Sequence, residues 1–480
     1  MSKIYTDPID INGNSFKRTG FVLVLLIGTF LMIINQTLLV TALPKIMSEF
    51  EISAINAQWL ITSFMLISGI MIPTSAFLMN SISNKSLYFI AIGSFALGTV
   101  ICGLSNTFSM LLFGRIIQAL GSGLIIPLMQ TLMFLVYPAE RRGEAMGLVG
   151  IVIAFSPAIA PTISGWIVDY YHWRYLFFII FPLVMINIIL ASYYMKNIIK
   201  ITKPKVDFLS IVMSSLGLGA LLYGISIAGN IGWQNKTSWF FWALGIIIIG
   251  MFTRRQLKLK EPFLELRVFN NKTFTLSTII VGIIFMTMIG FEILLPIYTQ
   301  SIKGLSALQS GLILLPGAIV LGVISPVSGK IFDKYGAKNI SIIGLVILSV
   351  ASIPFLFLTK DTPIWWVVCF YSLRMLGMGF VMMPLATAGI NELADNMISH
   401  GTAINNTVRQ VFASLGSALM VGVMSASVTK YSIEYNESSL SPMLHGLNNA
   451  FMTGLILIVI SVILCFFISS PSKSKNDKIS

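Results

Sequence analysis

Residues 275–298 have the sequence TLSTIIVGIIFMTMIGFEILLPIY, a run of 24 residues with a single charged side chain, Glu292. A helix needs about 20 mostly apolar residues to cross the hydrocarbon core of a bilayer. This run is therefore long enough to span a membrane. Its one carboxyl would lie inside the apolar layer, where a charge is costly and usually functional.

The rest of the chain has the same character. Its 480 residues are 56% hydrophobic and only 10% charged, whereas soluble domains carry about 25% charged residues. So few charges cannot cover the surfaces of soluble domains, which excludes a cytosolic enzyme or a nucleic-acid-binding protein despite a net charge of +13. Long apolar runs, rather than short alternating segments, also exclude a transmembrane β-barrel. The composition predicts an all-α polytopic membrane protein.

The orientation of this protein follows from its basic residues. Of 31 Lys and Arg residues, 22 lie in segments on the side of the two termini, and six lie on the opposite side. Because cytoplasmic loops are enriched in Lys and Arg, we expect both termini in the cytoplasm. That count assumes fourteen spans, at residues 20–43, 57–79, 86–105, 109–135, 144–168, 174–195, 208–228, 238–253, 275–298, 307–329, 339–359, 364–388, 402–427 and 447–470.

The two ends of the chain resemble each other. Three matches occur in the same order at offsets of 252, 253 and 259 positions: residues 43–44 with 295–296, residues 76–85 with 329–338, and Arg115 with Arg374. Spans 9–14 are therefore predicted to repeat spans 1–6, with spans 7 and 8 inserted, and parallel six-helix repeats are a transporter architecture. The predicted boundaries are a six-helix bundle at 1–200, two inserted helices with a basic cytoplasmic loop at 201–274, a second bundle at 275–470 and a cytoplasmic tail at 471–480.

Four motifs indicate a family. They are Asn35-Gln-Thr-Leu-Leu-Val-Thr-Ala-Leu-Pro44, Arg115-Ile-Ile-Gln118-Ala-Leu-Gly121-Ser-Gly123, Ser156-Pro-Ala-Ile-Ala-Pro-Thr-Ile-Ser-Gly165 and Gly329-Lys-Ile-Phe-Asp333-Lys-Tyr-Gly-Ala-Lys338. Together they resemble the major facilitator superfamily, in particular its fourteen-span drug:proton antiporters of the EmrB/QacA type, and most of all the LmrB-like lincomycin-resistance exporters. The resemblance covers nearly the whole chain. It implies the major facilitator fold and proton-driven efflux of lipophilic drugs by alternating access.

The sequence departs from that family pattern at three places. Asn35 stands where family members often have Asp, so the usual proton-carrying acid of the first span is absent. Asn80 replaces an Asp that is usual in the first gating loop. In the fifth span, Ser156, Ala160 and Ser164 replace glycines of the antiporter motif.

Glu292 and Arg115 are the candidates for proton coupling. Glu292 is the one acidic residue deep within a predicted span, and a carboxyl that exchanges a proton for a cationic drug would give antiport directly. Arg115 must face a polar interior, and in similar proteins this Arg is linked to coupling. The alternatives for Glu292 are a structural carboxyl bonded to a neighbouring helix, or one near the outer interface beside Tyr298. The alternative for Arg115 is a clamp on a backbone carbonyl.

The substrate cavity is predicted from polar residues inside apolar spans: Asn35, Gln36, Gln118, Asn405 and Arg409. Arg115 and Gln118 share one helix face because they are one turn apart. The polar groups of the thirteenth span could equally serve as interhelical hydrogen-bond glue.

Conformational change is predicted to involve two further groups of residues. Asp333, with Lys334 and Lys338, resembles a cytoplasmic gate in which a carboxylate pairs with a base or a helix N-terminus; ordinary positive loop charge is the alternative. Pro157, Pro161 and Gly165 would give a kinked, closely packed fifth span, although Pro and small residues are common in membrane helices.

The sequence contains no ATP-binding loop, catalytic cluster or metal-ligand motif, so energy must come from an ion gradient. We expect no enzyme activity, no cofactor and no metal. The expected partners are small-molecule drugs, protons and the lipid bilayer, with no nucleic acid and no obligate protein partner, which suggests a monomer. The alternative function is proton-coupled export of a single physiological solute, such as an amino acid, peptide or siderophore. The Ile-, Lys- and Asn-rich composition suggests the plasma membrane of a low-GC Gram-positive bacterium.

Overall fold

The computed structural model describes residues 8–202, 207–231, 235–435 and 440–468. Apart from one isolated β-bridge between Ile9 and Ser15, these residues are helical or irregular, so the all-α class is confirmed for the described chain. The helices are α1 (Arg18–Phe50), α2 (Ala54–Ser81), α3 (Asn84–Gly103), α4 (Phe108–Val136), α5 (Arg142–Tyr170), α6 (Tyr175–Tyr194), α7 (Phe208–Ile231), α8 (Lys236–Lys258), α9 (Lys272–Ile297), α10 (Ala307–Tyr335), α11 (Ala337–Ser352), α12 (Ile364–Gly379), α13 (Met382–Asn391), α14 (Ile398–Tyr435) and α15 (Leu440–Phe466).

Thirteen helical stretches within the described ranges are long and apolar enough to cross a membrane. They coincide with all the predicted spans except the fifth. That span corresponds to α5, a helix of 29 residues in which several side chains lie outside the described residues. The polytopic architecture is confirmed, and the number fourteen stays a prediction.

One predicted span, at 364–388, is not a continuous helix. It consists of α12 and α13, which are separated at Phe380 and Val381. Pro384 explains the break, because it has no backbone N–H and its ring clashes with the carbonyl four positions earlier, that of Phe380. The eighth span is also longer than predicted, since α8 continues to Lys258.

The two halves use the same helix pairings. In the first half α1 contacts α5 and α6, and in the second half α9 contacts α14 and α15. Likewise α4 packs against α2 and α3, and α12 packs against α10 and α11. These pairings are those expected if the last six spans repeat the first six. The halves meet where α5 packs against α10 and where α2 packs against α14.

Helices α7 and α8 form a separate pair that packs, through α7, against α2 and α14. The ends of α7 and α8 that are predicted to face the cytoplasm are joined by Arg255, which donates to both carboxylate oxygens of Asp207 at 3.0 and 3.1 Å. Partial burial disfavours the charged carboxylate, but hydrogen bonds from Arg255 and Ser210 outweigh this and hold the pKa of Asp207 below its usual range. The inserted pair is thus tied at one end, while the domain boundaries at 200, 274 and 470 stay predictions.

Candidate functional site

Three arginines are buried in the helix bundle, each against an aromatic ring. Arg115 and Arg374 are 0% exposed and Arg409 is 6% exposed. The guanidinium carbon lies 4.2 Å from the ring centroid of Phe64 for Arg115, 3.6 Å from that of Phe291 for Arg374 and 4.5 Å from that of Phe285 for Arg409. A cation over a ring face is stabilised by the ring quadrupole, more so when both are removed from water.

Arg115 on α4 is held by neutral oxygens. Its Nη1 donates to Asn35 Oδ1 on α1 at 2.7 Å and to Gln118 Oε1 at 2.9 Å, and its Nε donates to the Leu60 carbonyl at 3.4 Å. Gln118 in turn donates to Thr99 Oγ1 on α3 at 2.8 Å. Gln118 therefore lies between α3 and α4 in this conformation, where it positions Arg115. The clamp and the coupling roles considered for Arg115 both stay open.

Arg374 on α12 repeats this arrangement in the second half. Its Nη2 donates to Thr287 Oγ1 on α9 at 3.4 Å. Thr287 follows Asn35 by 252 positions and Arg374 follows Arg115 by 259, the same offsets that relate the two halves in the sequence. Within the described chain, Nε and Nη1 of Arg374 have no hydrogen-bond partner. Buried N–H groups are normally satisfied, so this guanidinium has capacity for a further acceptor.

Glu292 lies beside this guanidinium. It is half-buried on α9, one residue after the ring that Arg374 covers, and it interacts electrostatically with Arg374 and with Tyr371. The two charged groups do not form an ion pair among the residues that the structure describes. The arrangement is a carboxyl within electrostatic range of a buried, incompletely bonded cation, and its interaction with Arg374 was not predicted.

The remaining cavity candidates lie on α14 and α1. Asn405 donates to Thr278 Oγ1 on α9 at 3.3 Å, and Arg409 covers the ring of Phe285 on the same helix. Both therefore join α14 to α9 within the second half. Gln36, next to Asn35 on α1, is half-buried. The polar residues Asn405 and Arg409 of α14 both contact α9, and these contacts fit interhelical packing as well as a cavity wall.

Asp333 joins the two halves at the end of the bundle that is predicted to face the cytoplasm. Its Oδ1 accepts from the Gly143 backbone N–H at 2.8 Å and its Oδ2 from that of Glu144 at 2.9 Å, at the start of α5. A carboxylate at this position satisfies free N–H groups and interacts favourably with the helix dipole. Lys334 lies over the ring of Tyr335, and Lys338 donates to the Phe466 carbonyl at 2.8 Å.

Glycines allow α5 and α10 to approach closely beside Asp333. A Cβ on Gly329 would lie 2.1 Å from the Gly143 carbonyl oxygen, and one on Gly147 would lie 2.6 Å from the Pro326 Cα. A Cβ on Gly165, by contrast, would meet nothing within 4 Å, so Gly165 does not make the close helix contact predicted for it. The side chains of Pro157 and Pro161 lie outside the described residues.

The family of the chain follows from residues 25–417, which match the family model described as Major Facilitator Superfamily. The chain belongs to the major facilitator superfamily. This confirms the family indicated by the four sequence motifs, and it identifies the chain as a membrane transporter.

Relatives from bacteria extend over nearly the full length. The MFS-type transporter YcnB of Bacillus subtilis is 44% identical, with 96% of this chain and 98% of YcnB covered. The lincomycin resistance protein LmrB of Listeria innocua is 37% identical, with 95% and 98% covered. The riboflavin transporter RibZ of Clostridioides difficile is 23% identical, with 95% and 99% covered. These relatives support a multi-pass protein of the plasma membrane in a low-GC Gram-positive bacterium.

A solved structure shows the same fold. The crystal structure of the human organic anion transporter MFSD10 superposes with a TM-score of 0.67 at 12% identity, covering 93% of this chain and 99% of that chain. At this identity the likeness establishes the fold alone. The predicted major facilitator fold is confirmed.

In this transporter, contacts that the sequence did not predict link the halves at the predicted cytoplasmic end. Thr131 and Thr402 are joined by a hydrogen bond of 2.7 Å, and Asn406 donates to Gln130 at 2.5 Å, both between α4 and α14. Arg142 at the start of α5 forms an ion pair of 3.2 Å with Asp395. Together with Asp333, these contacts hold the two halves together at that end. In the sequence, the spacing of Gly143, Gly147 and Gly150 along α5 is a signal of the close approach of α5 to α10.

Proposed function

We propose that this transporter is a proton-driven exporter of lipophilic drugs, including antibiotics. The similarity to a lincomycin resistance protein supports the substrate class, and the electrostatic interaction between Glu292 and Arg374 supports the coupling. Among charged residues within the described spans, Glu292 is the carboxyl that lies beside a buried guanidinium with unused N–H groups. That single juxtaposition carries the proposal.

The proposed coupling uses two states of Glu292. Ionised Glu292 neutralises Arg374 or a cationic drug, because opposite charges attract strongly where water is scarce. Protonated Glu292 leaves the drug without that partner, and the drug is released. Arg115 is held by the neutral Asn35 and Gln118 and stays a fixed cation through the cycle. The proton-carrying role therefore falls to the second half.

The proposed binding region lies between the halves near these residues. A cavity of about 10 Å³, room for about one water molecule, lies between α5, α9, α10, α12 and α13, and the side chains around it include Ile153, Met288, Met382 and Met383. Methionines are flexible and polarisable, so they can adapt to chemically different drugs. We propose that this cavity widens when the cytoplasmic end opens, with Asn35, Gln36, Gln118, Asn405 and Arg409 as its polar candidates.

The proposed conformational change is a rocking of the two halves about the α5–α10 and α2–α14 contacts. Asp333 would release the N-terminus of α5 when the cytoplasmic end opens, while Lys334 and Lys338 would face that opening. Pro157, Pro161 and Gly165 on α5 would let the helix adjust during this motion. The hydrogen bonds from Gly143 and Glu144 to Asp333 support the first of these roles.

A second candidate is export of one physiological solute, and the similarity to a riboflavin transporter favours it. The three buried arginines outnumber the one carboxyl, and this excess of positive charge would suit an anionic or strongly polar substrate better than a cation. The two candidates differ in the compounds that move protons.

The test is solute-dependent proton movement in everted membrane vesicles that contain the native protein, with vesicles lacking it as the control. Lincomycin, ethidium and riboflavin would be added separately after the vesicles are energised, and the internal pH followed by fluorescence quenching. Proton release on addition of lincomycin or ethidium supports drug antiport. Release with riboflavin alone favours the single-solute exporter. If none of these compounds releases protons while drug export is measurable, proton coupling is refuted.

A further inference from the structure

His400, in the first turn of α14, joins three parts of the transporter. Its Nε2 lies 3.2 Å from the side-chain amide of Asn80, near the end of α2 in the first half. Its Nδ1 accepts from the Glu265 backbone N–H at 3.2 Å, in the segment between α8 and α9. The ring therefore connects the first half, the second half and the segment that leaves the inserted helices. The span predicted at 402–427 left this histidine outside, whereas in the structure it belongs to α14.

The contact is the counterpart of the one made by Asp333. Asp333 follows Asn80 by 253 positions, and His400 follows Gly143 by 257, both within the range of offsets, 252 to 259, that relates the two halves. In one interface the end of α10 holds the start of α5 through a carboxylate and backbone N–H groups. In the other the end of α2 holds the start of α14 through an amide and an imidazole. The two contacts are equivalent in position and different in chemistry.

The hydrogen bonds define the protonation state of the ring. Because Nδ1 accepts a hydrogen bond from Glu265, it carries no proton, and the neutral ring has its proton on Nε2. The amide of Asn80 can turn its oxygen towards that proton. A second proton on Nδ1 would place two donors, the ring N–H and the Glu265 N–H, against each other. The contact with the 261–270 segment is therefore compatible with the neutral ring and incompatible with the charged one.

The ring can exchange protons with the cytoplasm. It lines a cavity of about 570 Å³ at the predicted cytoplasmic end, together with Lys200, Lys260 and Glu261, which are all exposed. Glu265 interacts electrostatically with His400 but is paired with Arg267 at 3.1 Å. The other charged group at this cavity, Asp395, is paired with Arg142, and the residues of α2 and α4 that line it, Phe77, Asn80, Thr131 and Leu135, carry no charge.

We propose that His400 is a pH-sensitive latch on the cytoplasmic end of the transporter. Protonation at Nδ1 breaks the contact with Glu265 and frees the start of α14 from the 261–270 segment. Because Phe263 of that segment stacks on Phe77 of α2, one link between α14 and the first half is lost. The open state binds this proton more tightly than the closed state, so a fall in cytoplasmic pH raises the fraction of molecules that are open to the cytoplasm. The Asp333 carboxyl is also titratable and partly buried, so its contact can weaken at low pH as well, and the response assigned to His400 is the part that His400→Gln removes.

The test is a distance measurement that needs neither drug nor proton gradient, so its result is independent of the proposed efflux function. Spin labels would be placed on cysteines introduced at Ser86 and Glu392, exposed positions of the first and second half, after replacement of the three native cysteines. Distances would be measured by pulsed electron resonance at pH 7.5 and 5.5 in lipid nanodiscs. The native His400 background should show a longer-distance population that grows as the pH falls, by no more than about tenfold per pH unit for one proton.

Three variants decide the interpretation. His400→Gln can keep both hydrogen bonds but cannot be protonated, so its pH response should be smaller than that of the native protein. His400→Lys carries a charge at both values and cannot accept from Glu265, so it should be open at both. His445→Gln, an exposed histidine on α15, should respond to pH like the native protein. The proposal is overturned if His400→Gln keeps the native pH response, if His400→Lys is as closed as the native protein at pH 7.5, or if the native protein shows no response.

Discussion

Arg115 donates a hydrogen bond of 2.7 Å to Asn35, and the two residues occupy the positions that the internal repeat makes equivalent to Arg374 and Thr287, which are also bonded to each other. A buried arginine on the fourth span of each half thus binds a neutral side chain on the first span of that half. Among the described residues, only the second half adds a carboxyl, Glu292, that interacts electrostatically with its arginine. The two halves therefore share the position of the buried cation. They differ in whether a carboxyl that can hold a proton lies near it.

The first prediction concerns the Asn35–Arg115 bond. Asn35→Leu removes an acceptor from a buried cation, and a hydrogen bond to a charged group contributes about 1.5–3 kcal/mol. We expect a lower midpoint of thermal unfolding in detergent. Asn35→Asp keeps the acceptor and adds an opposite charge, so it should be at least as stable as the native protein. Equal midpoints for the Leu and native proteins would show that this bond does not stabilise the fold.

The second prediction concerns Asp333. Asp333→Ala leaves the Gly143 and Glu144 N–H groups at the start of α5 without their acceptor, and losing a helix cap costs about 0.5–2 kcal/mol. The thermal midpoint should fall, with a smaller loss for Asp333→Asn, which keeps one acceptor oxygen. Lys334→Gln is the matched control, because Lys334 is exposed and contacts only the ring of Tyr335 among the interactions described. A loss for Lys334→Gln as large as that for Asp333→Ala would argue against the capping role.

The third prediction concerns the glycine contact between α5 and α10. In Gly329→Ala the new Cβ would lie 2.1 Å from a backbone oxygen that cannot move without its helix, so the closed cytoplasmic end should be destabilised. Over-packing costs about 1–3 kcal/mol, equivalent to roughly a five- to 150-fold increase in the open population. The readout is alkylation of a cysteine introduced at Thr402, which is buried between the halves.

Gly165→Ala is the control for this experiment. Its Cβ would meet nothing within 4 Å, so the alkylation rate should match that of the protein carrying only the Thr402 cysteine. An unchanged rate in Gly329→Ala would mean that the close approach of α5 and α10 is not required for closure.

Most of the fold could be predicted from the sequence because membrane spans are set by length and apolarity. A run such as 275–298 can be recognised without knowing what it packs against. The break between α12 and α13 was missed because apolarity does not change there, although Pro384 was a local signal. The longer α8 was missed because its ends, which carry Lys236 and Lys258, are polar.

The site was less predictable, since it depends on contacts between distant parts of the chain. Glu292 and Arg374 each stand out as charges in apolar runs, but nothing local shows that they are neighbours. Gln118 shares a helix face with Arg115 as expected, yet its partner is Thr99 on α3, which no spacing reveals. His400 was left outside the span predicted at 402–427, although α14 begins at Ile398.

The central claim is that Glu292 carries the proton, and the most direct test is transport by purified protein in liposomes. Native protein, Glu292→Gln and the exposed-site control Glu392→Gln would be compared for drug-dependent proton movement and for drug exchange without a gradient. We predict that Glu292→Gln loses proton movement and uphill transport but keeps exchange, while Glu392→Gln matches the native protein. If Glu292→Gln moves protons as well as the native protein does, the claim is contradicted.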